Sequence, residues 1–195
     1  FLFAGGSNVY GTLSFVNAAM ELQTQIARGD CPQPDTIVCP VGSSATLAGL
    51  TYGCQLSGMD ARVLGIRVAP EKLGTFSACT QDVVFQRMNG VEHFLKQHVS
   101  HTLPAPQTPE LSGDYYGDGY GVATGKGDQA IEKFKSAGIK IEQTYTAKAA
   151  AAFMDELEGS ESNTLFWNTF NSRDMSAKAS AGTVSLLSQK LQALV

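Results

Sequence analysis

The sequence predicts a three-layer α/β fold, in which an open, mostly parallel sheet carries helices on both faces. Two short segments, Thr36–Pro40 and Arg62–Ala69, are nearly continuous apolar runs, as expected of parallel strands that are buried on both faces. Segments with helical periodicity lie between and around them, so strand and helix alternate along the chain. With 195 residues, of which 43 % are hydrophobic, the chain is long enough to form one large core of this kind.

The remaining elements follow from the same patterns. Apolar residues that recur every three or four positions predict helices, and prolines and glycines predict the loops between them. The predicted helices span Val9–Arg28, Thr46–Leu56, Gln81–Val99, Asp128–Ser136 and Thr146–Leu157. Asn89-Gly90 is a candidate break in the third helix, Gly138–Glu142 is predicted to be extended, and Thr164–Trp167 is predicted to be a last short strand. Three prolines make Thr102–Pro109 a loop, and five glycines make Asp114–Gly127 too irregular for an element.

The two ends of the chain differ from the middle. Phe1-Leu2-Phe3-Ala4 has the character of the end of a buried strand, and there is no initiator Met, so we expect further sequence upstream or in another chain. Residues 1–172 are predicted to form one domain. Residues 173–195 are predicted to be a tail that is either helical over Ala177–Val195, where apolar residues share one stripe, or frayed.

Composition argues against several classes of partner. The net charge is −4 and the Lys and Arg residues are scattered, which argues against a nucleic-acid surface. No apolar run approaches the roughly 20 residues of a membrane-spanning helix. The four cysteines and three histidines show no zinc-binding spacing, so we expect reduced thiols and no metal site. A soluble, cytoplasmic protein is therefore expected.

In open α/β sheets, ligands bind beyond the carboxyl ends of the strands. This rule restricts a site to the loops at that edge of the predicted sheet. These loops are Gly5–Gly11, Val41–Ala45, Ala69–Thr75, Asp114–Thr124 and Gln143–Thr146.

The loop after the first strand consists of small and hydroxyl residues, namely Gly42, Ser43, Ser44, Ala45 and Thr46, and it leads directly into a helix. The first amides of a helix have no partner within it, and the helix dipole adds partial positive charge there. Small residues let a phosphate approach these amides, and the hydroxyl groups add donors. The loop lacks the Gly-Lys-Ser/Thr sequence of a P-loop, which argues against hydrolysis of nucleoside triphosphates. From the residues alone, a phosphate cradle and an ordinary serine-capped turn are equally open.

Two further loops carry residues that chemistry could use. Ser7 or Asn8 in Gly5–Gly11 fits either a loose dinucleotide-type turn or a plain helix cap. Tyr120 lies in a glycine-rich loop, and Tyr145 lies just before a predicted helix. Tyrosines in such places either stack on a flat ligand or fill gaps at the surface.

Three strings together resemble the family of D-cysteine desulfhydrases and 1-aminocyclopropane-1-carboxylate (ACC) deaminases. They are GGSNVYGTLSFVNAAMELQTQ, VGSSATLAGL, and GDGYGVAT followed by AIEKFKSAGIKIEQTYTAKAAAA, and they occur in the family's order over roughly Phe1–Ser172. The family consists of pyridoxal 5'-phosphate (PLP) enzymes with the fold of the tryptophan synthase β-subunit. The resemblance implies that this chain is the C-terminal part of the PLP-binding large domain. It also implies a small amino-acid substrate and a homodimer.

The resemblance further assigns roles to residues. Gly42–Thr46 would hold the PLP phosphate, Tyr145 would lie beside the cofactor ring, and Tyr120 would be the second active-site tyrosine. Thr146 would meet the pyridine nitrogen, at a position where the deaminases typically have Glu and the desulfhydrases Thr. A carboxylate keeps this nitrogen protonated and strengthens the ring as an electron sink, whereas a hydroxyl does not. Thr146 therefore favours the desulfhydrase branch.

The chain also departs from the family. The lysine that forms the Schiff base with PLP, and a Ser-Asn segment near the substrate, lie upstream in the family and are not in this chain. Lys148 is predicted to lie on the surface of its helix and not to replace that lysine. Ala45 stands where the family usually has Gly, and Trp167–Asn171 replaces a His-Thr-Gly-Gly stretch.

The sequence therefore predicts part of a PLP-dependent lyase, most simply one that converts D-cysteine to pyruvate, ammonia and sulfide. The alternatives are ACC deamination, a PLP-binding homologue without catalytic activity, and a general binder of nucleotide phosphates.

Overall fold

A computed structural model describes residues 4–158, 162–171 and 173. Within these residues a 3-10 turn at Ala4–Gly6 is followed by five α-helices and six strands. The helices are α1 (Val9–Arg28), α2 (Ala45–Ser57), α3 (Gln81–Lys96), α4 (Gly125–Ser136) and α5 (Thr146–Glu158). The strands are β1 (Thr36–Val41), β2 (Arg62–Arg67), β3 (Lys72–Leu73), β4 (Phe76–Ser77), β5 (Glu110–Ser112) and β6 (Thr164–Phe166).

Four of the strands form one parallel sheet in the order β5-β2-β1-β6. Strand β1 pairs with β2 along its whole length, from Thr36 to Val41, and with β6 from Thr36 to Val38. Because β2 and β5 are added on one side of β1 and β6 returns to the other, the direction of winding reverses at β1. A crevice is expected at the carboxyl end of the sheet at such a reversal.

Helices cover both faces of the sheet, which confirms the predicted α/β layers. Helices α1, α2 and α3 share one face, where Ile37, Cys39 and Val41 of β1 enter the core. Helix α5 covers the opposite face, where Val38 and Ile66 are buried, and α4 packs on α5. Successive residues of β1 thus enter opposite layers, as the pleat of a strand requires, and both layers are apolar.

Helices α1 and α2 pack closely at Gly49. A β-carbon at this position would lie 2.4 Å from both the Phe15 Cβ and the Thr12 carbonyl oxygen. No real side chain fits in that space, so glycine is required for the two helices to cross here. The contact fixes α2, whose first turn follows β1 directly.

Two helices differ from the prediction, one at a predicted break and one at its first residue. Helix α3 continues through Asn89-Gly90 without a break, since Met88 and Val91 on either side are buried in the core. Helix α4 begins at Gly125 instead of Asp128, because the Thr124 hydroxyl caps it by accepting from the Gly127 amide.

Other elements were missed or lie elsewhere. Strand β5 and the β3–β4 hairpin were not predicted, and the predicted extended segment Gly138–Glu142 belongs to no strand. The predicted strand end at residues 1–3 and the predicted helix at Ala177–Val195 lie outside the described residues. None of the described helices combines the length and apolar character that crossing a membrane needs.

The close helix crossing can be tested by adding one methyl group. Gly49→Ala is expected to lower the free energy of unfolding by about 2 kcal/mol, because the new β-carbon overlaps the α1 backbone. Gly90→Ala is the matched control, since its β-carbon would meet only the Val9 side chain at 3.6 Å. It should raise the free energy of unfolding by about 0.5–1 kcal/mol. Urea titration followed by circular dichroism measures both, and equal effects would contradict the crossing.

Candidate active site

A cavity of about 650 Å³ opens at the carboxyl edge of the sheet. The five loops that the sequence assigns to this edge each contribute to its lining, with Gly5, Gly42, Ala69, Tyr120 and Tyr145 among the lining residues. Residues after β1, β2 and β6 meet here, so the cavity lies where the winding reverses. Its volume falls in the range of about 300–1,000 Å³ that is usual for small-molecule sites.

The loop after β1 forms the part of the cavity that suits an anion. Gly42, Ser43 and Thr46 line the cavity, whereas Ser44 and Ala45 are buried. Helix α2 begins at Ala45, so its first-turn amides, which have no partner within the helix, lie in this loop. Together with the helix dipole, they suit the binding of a phosphate.

Ser44 has an unusual backbone conformation in this loop. Its φ of +72° lies in the left-handed region, which residues with a side chain rarely adopt. Its hydroxyl does not cap α2 but donates to the Ala78 carbonyl oxygen at 3.1 Å, so the ordinary serine-capped turn is not formed. Ala45, which the comparison with the family's glycine pattern singled out, is helical. The strained position is its neighbour.

The turn before α1 is capped in the usual way. The Asn8 side chain accepts from the Gly11 amide at 2.9 Å, which supports the plain helix-cap interpretation of this loop. Ser7 is buried and does not serve as the cap.

Two tyrosines face each other across the cavity. The Tyr120 and Tyr145 hydroxyl groups are hydrogen-bonded, and their rings meet edge to face with centroids 5.8 Å apart. Tyr145 also packs on the loop after β1, because a β-carbon at Gly42 would lie 2.9 Å from Tyr145 Cε1. Burial, followed by the hydrogen bond with Tyr120, raises the pKa of Tyr145 to about 12. Tyr145 therefore keeps its proton at neutral pH.

Glu142 fixes the position of Tyr145. Its carboxylate accepts from the backbone amides of Thr144, Tyr145 and Thr146, each at 2.8 Å. These amides belong to the start of α5, where a negative charge is favoured by the helix dipole. The first turn of α5, and with it the Tyr145 side chain, is thereby anchored.

Thr146 is placed apart from the other candidate residues. It is fully buried and is not among the residues that line the cavity. Its hydroxyl accepts from the Glu142 amide at 2.7 Å and lies 3.1 Å from the Glu142 carbonyl oxygen and 3.2 Å from Oε1. To reach a ligand, this hydroxyl would have to exchange a contact with Glu142.

Lys148 was predicted to lie on the helix surface, and this prediction is wrong. Its side chain is fully buried, and its Nζ donates to the carbonyl oxygens of Tyr116 at 2.6 Å and Gly119 at 2.8 Å. Burial lowers its pKa. An amphipathic pattern predicts one solvent-exposed face. All residues of α5 from Thr146 to Ala152 are buried, so this part of the helix has no such face.

The sequence did not point to Arg87 or Phe76, which also line the cavity. Leu73 and Thr169 contribute as well, and they lie in segments that the sequence did single out, Ala69–Thr75 and Trp167–Asn171. A signal existed for Arg87, because it interrupts the apolar stripe of α3 that includes Val84, Met88 and Val91. The hairpin strands have two residues each, which is too short for a periodic signal.

The lining limits the chemistry of the cavity. It offers hydroxyl groups, aromatic rings and the Arg87 guanidinium, and no carboxylate is among the lining residues. In the part of the chain that the structure describes, no cluster of His, Cys, Asp and Glu could hold a metal ion. Hydroxyl groups, helix-start amides and aromatic rings in one cavity suit a flat ligand that carries a phosphate group.

Comparisons with known proteins identify the family of this chain. The sequence profile of the family described as "Pyridoxal-phosphate dependent enzyme" matches residues 1–169. A Thermotoga maritima protein provisionally named 1-aminocyclopropane-1-carboxylate deaminase is 30 % identical over 166 residues, which are 85 % of this chain and 49 % of that protein. The D-cysteine desulfhydrase of Salmonella paratyphi C is 27 % identical over 154 residues, or 77 % of this chain and 42 % of that enzyme.

A solved structure shares the fold as well as the sequence. The crystal structure of an ACC deaminase homologue superimposes with a TM-score of 0.68 at 30 % identity, covering 85 % of this chain and 47 % of that one. The chain thus spans about half the length of the relatives that it matches. Because the family match covers residues 1–169, this chain belongs to the pyridoxal-phosphate dependent enzymes.

Proposed function

We propose that the protein that carries this chain is a PLP-dependent lyase that eliminates sulfide from D-cysteine and yields pyruvate and ammonia. The observation that carries the proposal is the meeting of a phosphate-suited loop and a tyrosine pair in one cavity, whose described lining residues include no carboxylate. The relatives named D-cysteine desulfhydrase and ACC deaminase support this group of reactions.

The cofactor site would be built from residues of two helix starts. PLP, when bound, supplies an electron sink for negative charge at the substrate Cα. Gly42, Ser43 and Thr46 would hold its phosphate with the first-turn amides of α2, and Tyr145 would lie against its ring. Ser44 and Ala45 are buried and would anchor this loop in the core. Thr146 would approach the pyridine nitrogen only by exchanging a contact with Glu142.

The tyrosine pair is suited to donating a hydrogen bond or a proton. A group with a pKa of about 12 is ionised in only about one molecule in 10⁵ at pH 7, so Tyr145 is a poor base. Tyr120 is half exposed on the cavity side and shares its hydrogen bond with Tyr145. A leaving sulfur that approaches the pair would meet a neutral phenol that can stabilise the developing negative charge.

ACC deamination is the second candidate. Both the Thermotoga maritima relative and the solved structure, each 30 % identical to this chain, are named after ACC deaminase. Opening a cyclopropane ring asks more of the electron sink than loss of a thiol. A carboxylate at the pyridine nitrogen would provide this, but Thr146 occupies the position that the resemblance assigns to it. The desulfhydrase reaction is therefore the better supported of the two.

The proposed reaction can be tested on the full-length protein. With PLP it is expected to show a visible absorption band that shifts when D-cysteine is added, with sulfide released in parallel. L-Cysteine and ACC serve as comparison substrates. A response to ACC, with ammonia formed and no sulfide from D-cysteine, would favour the deaminase. Absence of any band would refute the cofactor assignment and favour a homologue without PLP chemistry.

The contact between Gly42 and Tyr145 should matter for cofactor binding. Gly42→Ala is expected to weaken PLP binding about tenfold, because the new β-carbon displaces either the phosphate loop or the Tyr145 ring, at a cost of roughly 1.4 kcal/mol. Gly125→Ala is the control, since no atom lies within 4 Å of its β-carbon. Equilibrium titration of absorbance with PLP measures both variants, and equal affinities would contradict the predicted role.

The hydrogen bond between the two phenols should be visible in a titration. Tyr120→Phe removes a partner that raises the pKa of Tyr145, so this pKa should fall below about 12, while burial, the larger cause, keeps it above the ordinary 10.0. Tyr145 should then lose its proton at lower pH than in the unaltered protein. NMR of ¹³Cζ-labelled tyrosine resolves the residue, with Tyr145→Phe to assign its signal. An unchanged titration would mean that the pair is not hydrogen-bonded in solution.

A further inference from the structure

Lys148 is a buried cation that the proposed chemistry does not use. Its side chain is fully buried, and no described carboxylate lies within ion-pair distance of it. Instead the ammonium donates to two carbonyl oxygens, those of Tyr116 and Gly119, and lies 5.1 Å from the centroid of the Tyr116 ring. Burying a charge without an anion costs free energy, which suggests that the two contacts of the ammonium have a structural role.

Both carbonyl groups belong to the glycine-rich loop that carries Tyr120. The Gly119 carbonyl oxygen also accepts from the Val122 amide at 3.3 Å, which closes a four-residue turn with Tyr120 at its second position. Gly121, at the third position, has a φ of +74°, as a type II turn requires. Lys148 therefore binds the carbonyl group on which the Tyr120 turn closes.

The same helix carries the other tyrosine. Tyr145 and Lys148 are three residues apart at the start of α5, so their positions along the helix are fixed relative to each other. These contacts form a closed ring. Tyr145 is joined along α5 to Lys148, which binds Gly119 next to Tyr120, and the Tyr120 hydroxyl contacts that of Tyr145.

We propose that Lys148 is a positioning residue, whose ammonium group holds the turn at residues 119–122 so that the Tyr120 hydroxyl meets that of Tyr145. Its effect on catalysis rests on the proposed function, but the positioning itself requires neither cofactor nor substrate. Without the ammonium, a loop with glycine at positions 117, 119 and 121 has many accessible conformations, and Tyr120 would leave its partner.

The test uses the full-length protein and the titration of Tyr145 by ¹³Cζ NMR. Lys148→Met removes the ammonium and keeps the length of the side chain. It should lower the Tyr145 pKa below about 12, as Tyr120→Phe does, because both separate the two phenols. The double variant with Tyr120→Phe should show no further shift. Lys148→Arg, which keeps charge and donors, should restore most of the value of the unaltered protein.

The control is a second lysine near the same loop. Lys126→Met removes an exposed ammonium that lies 5.7 Å from the Tyr115 ring and pairs with Asp155, and it should leave the Tyr145 titration unchanged. If the Met variant does not fold, Lys148→Gln, which keeps a donor for one carbonyl group, replaces it with the same expected direction.

The possible outcomes separate this proposal from the proposed function. An unchanged Tyr145 titration in a folded Lys148→Met variant would overturn the positioning role even if the protein releases sulfide from D-cysteine. A shift shared with Tyr120→Phe supports the role even in a protein that binds no PLP. Equal shifts in the Lys148 and Lys126 variants would show a general charge effect and would also overturn it.

Discussion

Strand β1 is hydrogen-bonded to parallel neighbours on both sides, and all of its residues are buried. Three parallel strands direct their carboxyl ends to the same edge, so Gly42, Ala69 and Thr169 meet there although they are distant in the sequence. Because the winding reverses at β1, the connections leave in opposite directions and a crevice remains between them. The place of the cavity thus follows from the order of the strands, and the loops determine only what it can bind.

Helix α5 imposes the second constraint on the site. Ala147 and Ala149–Ala152 are all buried, so the helix is enclosed by the sheet, α4 and the glycine-rich loop. Its short side chains leave little room around it, and the Lys148 side chain is fully buried among them. The ammonium of Lys148 is satisfied by loop carbonyl groups for that reason. One helix start therefore holds Glu142 as a cap, Tyr145 in the cavity and the cation that anchors the facing loop.

The sequence predicted the parts of the fold whose signals are local and periodic. Helix α1 and the buried strands β1 and β2 were found within two residues, because their apolar patterns extend over many positions. Strand β5 could not be found, since its three residues become a strand only by pairing with β2. For the site, residue type singled out the loop after β1 and both tyrosines as candidates, and the structure brings them to one cavity. The left-handed Ser44 and the burial of Lys148 depend on packing between distant segments, which no local pattern records.

The contacts of Glu142 bear on why a threonine follows at position 146. The Glu142 carboxylate already accepts from three amides at the start of α5 and lies 3.2 Å from the Thr146 hydroxyl. A second carboxylate at position 146 would lie beside the first in a buried environment, and the two charges would repel unless a cation lay between them. Threonine carries no charge, so it packs against Glu142 without this repulsion, and its hydroxyl accepts from the Glu142 amide instead.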